Sequence, residues 1–140
     1  MKVSQLLLLA VTLLLSSYAF AGEFQIAPVE IDSDNQWAQG NLIAARFSKN
    51  EEERIGCAVG NGRLSPGHPD RDHYAYCEAS LGNGVDAYCI TYDPAMIDTI
   101  ASINTLSFVF FAWEDQSGAQ LCTHVTVATR SIHISDKLKP

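Results

Sequence analysis

Four cysteines constrain this chain more than any other feature. Cys57, Cys77, Cys89 and Cys122 lie 20, 12 and 33 residues apart, and no two of them form a C-x-x-C pair. That spacing argues against a structural zinc knuckle. In an oxidising compartment an even count of cysteines reads as a disulfide framework, here two bridges with three possible pairings.

The N-terminus supplies the compartment. Lys2, the apolar run from Leu6 to Leu15 and the small residues of Ala19-Phe20-Ala21 have the order of a secretory signal peptide, so residues 1–21 should be removed and Gly22 should become the first residue. The run holds about ten strongly apolar residues, against the roughly 20 that a membrane-spanning helix needs. No membrane span is expected after cleavage. The sequence therefore predicts an exported bacterial protein, periplasmic or secreted.

Charge narrows the partners. Removing Lys2 from the nine Lys and Arg leaves eight against sixteen Asp and Glu, a net charge of −8. Such a chain has no electrostatic reason to bind nucleic acid or an anionic membrane surface. The charge allows a cationic protein or metal partner, and it also reads simply as a charge that keeps an exported protein soluble.

The remaining chain reads as one domain of α+β class, an antiparallel sheet of about four to six strands with one helix at about 93–104, stabilised by two disulfides. Residues 22–40 show no clear period and read as an irregular lead-in, with a short strand at 23–26. The globular domain is expected over 41–135, followed by a tail at 136–140. Residues 42–48 favour strand over helix, because Leu42, Arg46 and Phe47 line no clean helical face. The Glu51-Glu52-Glu53 cluster reads as a solvated loop.

Strands are expected at 55–59, 73–79 and 86–91. Asn83-Gly84 supplies residues that tolerate the positive φ of a type I′ turn between the last two. Cys77 and Cys89 are equidistant from Asn83, so a symmetric hairpin sets them opposite each other. This favours Cys77–Cys89 with Cys57–Cys122. The alternative is Cys57–Cys77 with Cys89–Cys122, because directly opposed cross-strand disulfides are often strained.

Asp93-Pro94 is a helix start, a capping carboxylate followed by proline at the first helical position. Met96, Ile97, Ile100 and Ile103 then form an apolar stripe. Residues 106–113 are the most β-prone run, apolar on both faces, which predicts a central strand covered on both sides. In the last strand, 121–133, strict alternation sets Val125 and Val127 on one face and Cys122, His124 and Thr126 on the other.

Chemistry is thinly marked. His68, Asp70, Asp72 and His73 offer imidazole and carboxylate donors within six residues, a candidate metal site, though without a recognised ligand spacing. Asp32-Ser33-Asp34 opens like a calcium loop, but Gln36 and Trp37 occupy the places of a further oxygen ligand and the turn glycine. There is no nucleophile elbow, phosphate-binding glycine loop or dinucleotide fingerprint. No cofactor is expected. Tyr74 and Tyr76, two apart on one strand, share a face and with Arg71 are candidates for partner contact. Trp37 and Trp113 read as core.

The sequence thus favours a non-catalytic binding protein, in its sharpest form an inhibitor of a cationic extracytoplasmic enzyme such as a lysozyme. The alternatives are a metal-dependent or Ser/His/Asp-type hydrolase using the 68–73 loop, and a structural protein of the envelope.

Overall fold

A computed structural model of the chain describes residues 27–62 and 72–130. The strands are β1 (Glu30–Asp32), β2 (Trp37–Asn41), β3 (Arg54–Asn61), β4 (His73–Gly82), β5 (Val85–Thr91), β6 (Phe108–Gln116) and β7 (Ala119–Ala128). The helices are α1 (Leu42–Arg46) and α2 (Pro94–Ala101). All seven strands join one sheet in the order β1-β2-β6-β7-β5-β4-β3. It is a mixed sheet, since β5 and β7 run parallel while the other neighbours are antiparallel.

Local chemistry accounts for the hairpins. Asn83 and Gly84 take φ of 56° and 78°, and Ser117 and Gly118 take 54° and 83°. Both two-residue turns thus carry the paired positive φ that matches strand twist. Helix α2 begins as its sequence dictates: Asp93 accepts a hydrogen bond from the Met96 N–H at 3.0 Å, and Pro94 occupies the first turn. Its Ile97 and Ile100 are buried in the core, with Met96 and Ile103 packed at the margin.

The sheet curls until β1 approaches β4 and β5. The Val29 N–H donates to Glu53 Oε1 at 3.1 Å, and Ser48 Oγ donates to Glu53 Oε2 at 2.5 Å. One carboxylate therefore fastens the lead-in to β1 onto the segment before β3. Gly40 permits the curl. A Cβ there would come within 3.1 Å of Val29 Cα and 3.2 Å of the Pro28 carbonyl oxygen. The concave face holds the core, including Ala38, Ile55, Ala75, Cys77, Ala79, Ala87, Cys89, Val109, Phe111 and Trp113.

Several expectations need correction. The segment 22–40 is not irregular throughout, since it contains β1 and all of β2 except Asn41. Residues 42–46 form a helix, not a strand, because the buried pair Ile43 and Ala45 is set against β2 and β3. Two helices are present among the described residues, and the sheet has seven strands, one pair of them parallel. Strand β6 is covered on one side only: Val109, Phe111 and Trp113 are buried, while Phe108 and Phe110 on the convex side are half-buried.

The favoured disulfide pairing is also overturned. The bonds are Cys57–Cys77 and Cys89–Cys122. Cys77 does face Cys89 across β4 and β5, as hairpin symmetry requires, but it faces Cys57 across β3 and β4 as well. The cysteines thus stand in the order 57, 77, 89, 122 across β3, β4, β5 and β7. Joining the middle two would leave the outer two about 14 Å apart at ~4.8 Å per strand. A disulfide spans at most about 7 Å between Cα atoms. Cys122 reaches this face through a bulge. Trp113 opposes Cys122 and Ala112 opposes His124, so Thr123 is the extra residue. Strict alternation therefore breaks at this point: Cys122 turns inward with Val125 and away from His124.

Candidate binding face

The alternation that turns Cys77 and Cys89 inward turns their neighbours outward. Tyr74 and Tyr76 of β4 and Tyr88 of β5 therefore stand on the convex face. The rings of Tyr76 and Tyr88 lie 5.9 Å apart. Tyr88 is exposed, at 42% of its full surface. Burial of part of its ring pushes its phenol above the ordinary tyrosine range, and the nearby Tyr76, Tyr92, Tyr74 and Glu78 push the same way. Three further tyrosines are thus close enough to act on the ionisation of Tyr88.

A second aromatic group continues the face. Trp37 stacks on Phe110 with ring centroids 6.1 Å apart, and Phe110 meets the His124 ring edge-on at 5.7 Å. His124 Nε2 lies 2.9 Å from Thr126 Oγ1, two residues along the same strand. No helix or strand among the described residues packs over these rings.

Carboxylates border the aromatics. Asp32 pairs in register with Trp37, Glu30 with Gln39 and Glu78 with Tyr88, while Asp86 and Glu114 follow on the same sides of β5 and β6. Arg54 is the only Lys or Arg in the seven strands, and it lies 3.6 Å from Asp86. The convex face is therefore aromatic at its centre and acidic around it. At Asp32 the side-chain amide and backbone N–H of Asn35 donate to the two carboxylate oxygens at 2.8 and 2.9 Å. These bonds hold its carboxyl below the usual range. The Asp32–Asn35 stretch that resembles a calcium loop is thus a turn that satisfies itself.

Of the other sequence candidates, Asp72 and His73 fall within the described residues. His68, Asp70 and Arg71 lie outside the described residues, as do the export signal and the short strand at 23–26. The Asp72 carbonyl accepts from the Gly62 N–H, and His73 Nδ1 lies 2.6 Å from Asn61 Oδ1. Both interactions join the end of β3 to the start of β4. Among the described residues no three His, Cys, Asp or Glu side chains are grouped to hold a metal ion, and no helix is long and apolar enough to cross a membrane.

Sequence reasoning singled out Tyr74 and Tyr76 but missed their neighbours. Alternation about Cys89 was signal enough to find Tyr88. Trp37 belongs to the convex face and not to the core, and nothing in its own surroundings in the sequence showed that. Comparison with protein-family models, with curated proteins and with solved structures gives no significant match.

Proposed function

We propose that this chain is an exported, non-catalytic binding protein and that its convex aromatic face takes a cationic protein partner. The observation that carries this reading is the group of exposed Tyr88 with half-buried Tyr74 and Tyr76, continued by Trp37 and Phe110 and bordered by Glu30, Asp32, Glu78, Asp86 and Glu114. Aromatic faces attract Arg and Lys by about 0.5–2 kcal/mol each. Carboxylates beside them add charge-assisted hydrogen bonds. The excess of acid over base steers a cationic partner towards the protein and repels an anionic one. Two disulfides fit an exported chain and hold the face rigid, which lowers the ordering cost of binding.

An inhibitor of a cationic extracytoplasmic enzyme is the most specific form of this reading. Calorimetry of the oxidised protein with lysozyme and with other basic exported enzymes tests it. Binding should be present at about 20 mM salt and should weaken about tenfold or more by about 300 mM, as screening shortens the reach of charge. The double substitution Tyr76→Ala/Tyr88→Ala should abolish it without changing the disulfides. Absence of binding to every basic protein at low salt would overturn the reading.

A further inference from the structure

The cysteine row has a chemical consequence independent of the binding face. Cys57 and Cys77 are bonded, and so are Cys89 and Cys122. Yet Cys77 and Cys89 are also direct partners in the β4–β5 ladder. Opposed antiparallel residues sit about 4.5–5.5 Å apart at Cα, within the separation that a disulfide bridges. The two bonds are therefore juxtaposed end to end, with Cys77 and Cys89 as the inner ends.

Access to this row is one-sided. Cys77 and Cys89 are fully buried and Cys122 is 8% exposed. Cys57 is half-buried on β3, the edge strand of the sheet. An external thiol thus meets the row at Cys57 first. The spatial order also sets the direction of attack, because a thiolate at Cys77 approaches Cys89 from the side opposite Cys122. That is the approach which disulfide exchange requires, the nucleophile entering in line with the departing sulfur.

We infer that the four cysteines form a thiol–disulfide exchange relay, in which attack by a small thiol at Cys57 delivers a free thiol at Cys122, two strands beyond Cys77. In the first step the incoming thiolate bonds to Cys57 Sγ. The Cys57–Cys77 bond breaks and its electron pair leaves on Cys77 Sγ. In the second, the Cys77 thiolate bonds to Cys89 Sγ. The Cys89–Cys122 bond breaks, and its electron pair leaves on Cys122 Sγ, which takes up the proton lost by the incoming thiol. One thiol is consumed and one is released, and the number of disulfide bonds stays at two, the incoming thiol being held as a mixed disulfide on Cys57 in exchange for the freed Cys122.

Peptide mapping tests the relay on the wild-type oxidised protein. It is treated with one equivalent of reduced glutathione, and free thiols are trapped with iodoacetamide. The expected products are glutathionylated Cys57, a Cys77–Cys89-linked peptide and alkylated Cys122, with Cys122 alkylation exceeding that at Cys77 by about tenfold. Alkylation at Cys77 with Cys89–Cys122 intact would overturn the relay, and so would failure of glutathione to open either bond. A second arm uses Cys57→Ser, which leaves Cys77 without its partner. Oxidised in the absence of glutathione, it should carry Cys77–Cys89 and a free Cys122. A free Cys77 in the folded variant contradicts the proposal.

Discussion

Tyr76 and Tyr88 lie diagonally across the β4–β5 ladder with ring centroids 5.9 Å apart, on the face from which Cys77 and Cys89 turn away. Their closeness shows in ionisation. Tyr88 loses its proton above the ordinary tyrosine range, first because its surroundings desolvate the phenolate and then because neighbouring tyrosinates and Glu78 repel it. A raised folded-state value means that the unfolded chain ionises first as pH rises. The contribution of Tyr88 to stability is therefore full below the unfolded range near about 10, and it is lost as pH climbs through the folded value. Ultraviolet titration of the native protein should show a late tyrosinate component that Tyr88→Phe removes.

Phe110 and Phe111 are adjacent in sequence and serve opposite faces, so their substitutions should separate stability from binding. Phe111 is fully buried, and Phe111→Ala should cost about 3–5 kcal/mol in denaturant unfolding. Phe110 is half-buried between Trp37 and His124. Phe110→Ala should cost clearly less stability and should weaken the salt-sensitive binding of a basic protein. Equal losses of stability, with binding unchanged, would remove the convex face as the contact surface.

Much of this fold was legible because its signals are local. Asn83-Gly84 marks its turn by backbone preference, and Asp93-Pro94 marks its helix by capping. What was not legible depends on distant partners. The five residues of α1 have almost no helical signature of their own. Their N-cap Asn41 does not cap the helix, because its Oδ1 accepts from the Ala27 N–H. Strand β2 exists because β6 pairs with it, and Gln39 opposite Phe110 has no local period to announce that. A single extra residue, Thr123, reverses the face of Cys122. Of the candidate site, Tyr74 and Tyr76 followed from alternation alone. The union of their cluster with Trp37 and Phe110 on one face required the strand order.

The cap of α2 is one such local signal whose strength can be measured. Asp93 Oδ1 accepts from the Met96 N–H at 3.0 Å, one of the orphan donors at the start of the helix. Asp93→Ala should lower the unfolding free energy by about 0.5–2 kcal/mol, and Asp93→Asn by much less. Urea unfolding of the two variants distinguishes them. Similar losses in both would mean that the carboxylate acts through charge and not through the bond.

Glu53 offers a test of how the curled sheet is held. Its Oε1 accepts from the Val29 N–H and its Oε2 from Ser48 Oγ. Val29 is itself buried against the core and packed beside Gly40. Removing the carboxylate leaves the Val29 N–H without its acceptor in a place where water enters poorly, a penalty of about 1–3 kcal/mol. Glu53→Ala should therefore destabilise the protein by that order, and the amide of Val29 should exchange hydrogen faster while amides in β4 and β5 keep their protection. Glu53→Gln retains a carbonyl oxygen for Val29 and should recover most of the loss. If Glu53→Ala instead accelerated exchange evenly across all seven strands, the carboxylate would be supporting the whole core and not fastening one edge of the curl.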